Sequence, residues 1–81
     1  MKNSFKLKIL KTSKTLTTEE QNAFRLKLEP LLKLDGIMSL CLEEEELYVE
    51  FNPTFFNLDS FKLILTDLGF PLEHKIKLVS L

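Results

Sequence analysis

The sequence predicts an α+β sandwich in which two helices cover one face of a four-stranded antiparallel sheet. Three observations point there. Leu34-Asp35-Gly36 closes a helical stretch, because a glycine just past the last apolar turn supplies the positive φ that a helix C-terminus favours. Directly after it, Met38, Leu40 and Leu42 alternate with Ser39 and Cys41, and Leu47, Val49 and Phe51 alternate with Tyr48 and Glu50. Such period-two alternation marks half-buried strands, and the acidic run Glu43 to Glu46 between them reads as a hairpin turn. A helical pattern lies on each side of this hairpin.

At the start of the chain, Phe5, Leu7 and Ile9 alternate with Lys6 and Lys8. Residues 4–11 therefore read as a strand whose apolar row faces the core and whose lysines face outward. A polar loop from Thr12 to Leu16 leads to Thr17-Thr18-Glu19-Glu20, a capping box in which the Thr17 hydroxyl and the Glu20 carboxylate satisfy each other's backbone amides. A helix should run from about Thr18 to Leu34, with Phe24, Leu28, Leu31 and Leu32 on one stripe and Leu26 at its edge or exposed. Pro30 lies inside this pattern and removes a backbone donor, which should kink or loosen the helix near Leu26.

After the hairpin, Asn52-Pro53 ends the strand, since proline cannot continue a central ladder. Asn57 is a good N-cap, with Asp59 in the first turn where the helix dipole favours negative charge. Phe61, Ile64, Leu65 and Leu68 then form a helical stripe, and Gly69 stops it. Ile76 and Leu78 alternate with lysines, giving a final strand from about His74 to Val79. The order β-α-β-β-α-β over a single domain, residues 1–81, is that of a ferredoxin-like fold. Its open sheet face would carry Lys6, Lys8, Ser39, Cys41, Tyr48, Glu50, Lys75 and Lys77, with a basic half and an acidic half.

The composition narrows the function. Hydrophobic residues make up 44% and charged residues 28% of the chain, a balance that favours a packed core over disorder. The net charge of −1 supplies no electrostatic drive towards nucleic acid or an anionic membrane. No apolar run approaches the roughly 20 residues that span a bilayer. A lone cysteine and no leader pattern lead to the expectation of a cytoplasmic chain without an internal disulfide.

The spaced residues Leu34-x-Gly36-Ile37-x-x-Leu40-x-Leu42, Leu47-x-Val49-x-Phe51-Asn52-Pro53 and Phe61-x-x-Ile64-Leu65-x-x-Leu68-Gly69-Phe70 resemble the heavy-metal-associated domain family. The resemblance covers roughly residues 28–72. That family includes small copper chaperones and the N-terminal modules of metal-transporting ATPases. It implies a metal site in a Met-x-Cys-x-x-Cys loop between the first strand and the first helix, where two thiolates hold a soft ion such as Cu(I). Here the corresponding segment, Lys11 to Ala23, contains no Cys, His or Met. The chain is thus similar to a degenerate member that has lost its metal thiolates and needs no cofactor.

The remaining candidates are few. Cys41 is the one thiol, placed by alternation on the open face, and is the ligand to consider if copper or zinc binds at an unconventional site, including one shared between two chains. Met38 should face the core, and His74 and Met1 do not cluster with Cys41 in sequence. Lys11 to Thr15 lacks the glycines that let a backbone wrap phosphate. An RNA-binding face would need more outward aromatics than Tyr48. The single arginine, Arg25, falls inside a helix, and no nucleophile–base pair is visible, so no catalytic residue is assigned. What the sequence leaves is a non-enzymatic domain that acts through a protein partner or self-association at its open face.

Overall fold

The computed structural model describes residues 5–73. Strand β1 (Lys6–Lys11) is followed by helix α1 (Thr18–Leu28), a 3-10 turn α2 (Glu29–Lys33), strands β2 (Ile37–Leu42) and β3 (Glu46–Phe51), and helix α3 (Leu58–Asp67). The strands form one antiparallel sheet in the order β1-β3-β2. The arrangement is α+β, but the sheet of the described residues has three strands, which corrects the expected four-stranded ferredoxin-like sheet. The expected strand from His74 to Val79 lies outside the described residues. Before it, the chain meets the end of β1 and the residues just after it through a Thr12–Leu72 bridge, flanked by Ser13 N–H on the Pro71 carbonyl and Glu73 N–H on the Lys11 carbonyl, each at 2.9 Å. One bridge does not make a ladder.

The local signals at the element ends hold. Thr17 Oγ1 accepts from the Glu20 amide at 3.1 Å, and the Glu20 carboxylate accepts from the Thr17 amide at 3.0 Å. Asn57 Oδ1 accepts from the Ser60 amide at 3.1 Å and starts α3. The same helix ends in a Schellman turn: Phe70 N–H bonds the Leu65 carbonyl and Gly69 N–H bonds that of Thr66, with Gly69 at φ +84°.

Pro30 acts more strongly than a kink. The α-helix stops at Leu28, and the following residues tighten into 3-10 geometry with Pro30 in the first turn. This rotates Leu32 outward to 45% exposure while Leu31 stays packed against the core, so the expected stripe loses one member. Leu26 is exposed.

One row from each strand builds the core. Leu10, Leu42, Leu47, Val49 and Phe51 meet Leu28 of α1 and Phe61 and Leu65 of α3 in one buried cluster. Both helices therefore cover the same face. Phe56 links Phe51 and Phe61 at ring separations of 5.4 and 5.1 Å, and Phe24 meets Phe70 edge-on at 5.2 Å. Such aromatic contacts add to simple burial. Met38 departs from its expected inward position. It falls in the irregularity between Ile37 and Ser39, where two residues of β2 oppose one of β3, and is 51% exposed while Ile37 packs on the core.

The largest correction concerns β1. Leu10 pairs with Leu47, Lys8 with Val49 and Lys6 with Phe51, so Lys6 and Lys8 belong to the helix-side row. Leu7 and Ile9 pair with Glu50 and Tyr48 and face the open side instead. Because side chains alternate, fixing one residue fixes the row. The fixing residues follow the strand: Thr12 N–H bonds the Glu45 carbonyl at 2.9 Å, and Leu16 N–H bonds that of Glu44 at 2.8 Å. These bonds tie the buried Thr12 and Leu16 to the hairpin tip, and Leu10 turns inward with them.

Candidate functional site

The open face is built around Tyr48 on the central strand, with Ile9 opposite it on β1 and Cys41 opposite it on β2. The next row along β3 is Leu7, Glu50 and Ser39, with Ser39 Oγ at 3.2 Å from Glu50 Oε1. At the other end, Glu46 opposes Lys11, whose Nζ lies 3.4 Å from its carboxylate. The expected division into a basic and an acidic half is overturned for the described residues, since Lys6 and Lys8 sit on the other side. In their place stand apolar side chains: Leu7 is 62% exposed, Ile9 43% and Phe5, just before the strand, 40%. Sequence alternation located these residues but assigned them inward. Only their partners across the sheet reveal their side.

Glu46 and Tyr48 form the polar anchor of this face. The Tyr48 hydroxyl donates to Glu46 Oε1 at 2.6 Å. That bond, followed by Lys11, holds the Glu46 carboxyl below the usual carboxylate range, and the same carboxylate pushes the Tyr48 phenol upward. Among the described residues no cation pairs with Glu50.

Cys41 is exposed on this face, as expected, and its thiol approaches Glu43 Oε2 at 3.7 Å. Among the described residues, no group of three or more His, Cys, Asp and Glu side chains is gathered as a metal would require. His74 and Met1 lie outside the described residues. The segment that would hold the metal loop of the heavy-metal-associated family has another use here. Leu16 is buried in the core, Thr17 caps α1, and Lys14 pairs with Glu20. Lys11 and Lys14, the two lysines of the candidate anion loop, are thus both taken by carboxylates.

The acidic tip is more than a solvated turn. Glu44 and Glu45 use their carbonyls to hold the Leu16 and Thr12 amides, and the Glu45 carboxylate accepts from Thr15 Oγ1 at 2.9 Å. Beside β2, a groove of about 270 Å³ is lined by Leu28, Leu32, Leu40 and Leu42 with Arg25, Glu29, Cys41 and Glu43 around them. Arg25 crosses to β2 and donates to the Leu42 carbonyl at 3.2 Å, as well as to Asn22 and Gln21. Among the described residues no helix is long and apolar enough to cross a membrane. No protein-family model, curated protein or solved structure matches the chain.

Proposed function

We propose that this chain is a non-enzymatic interaction module, of heavy-metal-associated type without the thiolate loop, whose open sheet face contacts another protein. The observation that carries the reading is the outward apolar row of β1, with Leu7 at 62% and Ile9 at 43% exposure beside Tyr48. Apolar side chains grouped on a small surface are a feature of protein contacts, and an aromatic beside them is a common anchor. Glu50, opposite Leu7, borders the row without a cationic partner among the described residues. The partner surface is therefore apolar with lysine or arginine at its rim.

Affinity capture with wild-type bait and with a Leu7→Lys/Ile9→Lys bait tests the proposal. Both positions are exposed, so the substitutions should change stability by no more than about 0.5 kcal/mol each. A protein retained by the wild type and lost from the folded variant supports the reading. Equal retention by both overturns it.

A further inference from the structure

We infer that the outer edge of β2, with the groove beside it, takes an extended lysine-bearing peptide that adds as a short strand to the sheet. The edge can be read from three bonds. Glu43 N–H bonds the Glu46 carbonyl at 2.8 Å, and Asn52 N–H bonds the Gly36 carbonyl at 2.7 Å. In an antiparallel ladder the backbone groups of one strand point alternately towards and away from its neighbour. Counting from Glu43, Cys41 and Ser39 face β3, whereas Leu42 and Leu40 face outward. The Arg25 bond to the Leu42 carbonyl, made from outside the sheet, agrees with this count. Among the described residues nothing bonds the N–H and carbonyl of Leu40 or the N–H of Leu42. These are the groups through which strand addition works.

The groove selects what is added. Its floor of Leu28, Leu32, Leu40 and Leu42 lies on the helix side of that edge, where every second side chain of an added strand would point. Its volume of about 270 Å³ accommodates a large aliphatic side chain. The Arg25 guanidinium is already shared among Asn22, Gln21 and Leu42. Glu29 has no cationic partner among the described residues, and Glu43 accepts only the Cys41 thiol. Two carboxylates against one occupied guanidinium favour basic residues on either side of the aliphatic one. A second copy of β2, Ile37-Met38-Ser39-Leu40-Cys41-Leu42, brings no basic residue and sets Glu43 against the same carboxylates. Arg25 closes one end of the edge and the Met38 bulge the other, so the added strand is short and its binding weak.

The probe is a capped Lys-Val-Leu-Val-Lys peptide, titrated into isotopically labelled protein and followed by backbone-amide and methyl NMR. The expected result is a set of shifts confined to the Leu40 and Leu42 amides and the Leu28 and Leu32 methyls. Glutamate in place of both peptide lysines, or N-methylation of alternate peptide amides, should weaken binding about tenfold or more, as should Leu32→Glu in the protein. Leu7→Lys/Ile9→Lys should leave it unchanged, which separates this site from the open-face contact. Three results overturn the inference: no shifts at millimolar peptide, shifts centred on Leu7 and Ile9, or concentration-dependent broadening of the β2 amides without peptide, which would make a second copy the occupant.

Discussion

The Tyr48 hydroxyl donates a 2.6 Å hydrogen bond to Glu46, two residues earlier on the same outward row of β3. Lys11 Nζ, opposite on β1, lies 3.4 Å from the other oxygen of that carboxylate. The three groups hold the phenol against the sheet between Ile9 and Cys41, and they predict how the face responds to pH. Tyr48 is the chain's single tyrosine, so a tyrosinate absorbance titration reads it alone. It should titrate above an ordinary tyrosine and fall towards the usual value in Glu46→Gln, with the part due to burial and to Glu43 and Cys41 remaining. The raised folded value means that its stabilising contribution is intact below the unfolded tyrosine range and is lost as pH rises through the folded one. Glu46 behaves oppositely: its contribution is present above the ordinary carboxylate range and disappears as pH falls through its lowered folded value.

The capping box at Thr17 gives a second prediction. Thr17→Ala removes the acceptor of the Glu20 amide and should cost about 1 kcal/mol in urea unfolding. The bond from Lys14, with that from the Thr17 amide, lowers the Glu20 carboxyl. Acidification through that lowered value should therefore remove part of the helix's support, and Lys14→Ala should move the loss to higher pH.

The two positive-φ glycines should differ. A Cβ at Gly36 would stand 2.7 Å from the Phe56 Cβ and 3.3 Å from the Asn52 carbonyl oxygen, whereas one at Gly69 meets open space. Gly69→Ala should cost about 1–2 kcal/mol from backbone strain alone. Gly36→Ala adds a clash with the segment that leads into α3 and should cost clearly more in the same unfolding experiment.

Cys41 supplies a test of the metal alternative. One exposed thiol beside one carboxylate is too few ligands for a tight soft-metal site. In an anaerobic titration, the reduced chain should remove no Cu(I) from a competing chelator, and Cys41→Ser should leave the copper and zinc profiles unchanged.

Much of the fold was legible because its signals are local. The cap at Thr17, the Asn57 start, the Gly69 stop and the alternation of Leu47, Val49 and Phe51 each depend on residues a few positions apart, whereas Gly36, expected to close the first helix, takes its positive φ in a turn after the 3-10 segment. The side to which β1 turns depends instead on Glu44 and Glu45, about thirty positions away, which hold the Leu16 and Thr12 amides. Phe5, Leu7 and Ile9 form the longer apolar row, yet the single Leu10 faces the core. Met38 escapes the alternation for a related reason, since a bulge breaks the period without marking the sequence. Pro30 marks a disturbance in the sequence, but the change to 3-10 geometry that exposes Leu32 depends on how the segment meets β2. The groove beside β2 was not legible, because Arg25, Leu32 and Leu42 come together only when α1 and the 3-10 turn pack beside that strand.

The proposed protein contact at the open face can be tested by a photo-crosslinking residue placed in turn at Leu7, Ile9 and Leu63. Leu63 is the control: it lies on α3 and is 67% exposed, comparable to Leu7 at 62%. Illumination in the native cell should give discrete adducts from the Leu7 and Ile9 positions and none from Leu63. Adducts of the same pattern from all three positions, or none from the two on β1, would contradict it.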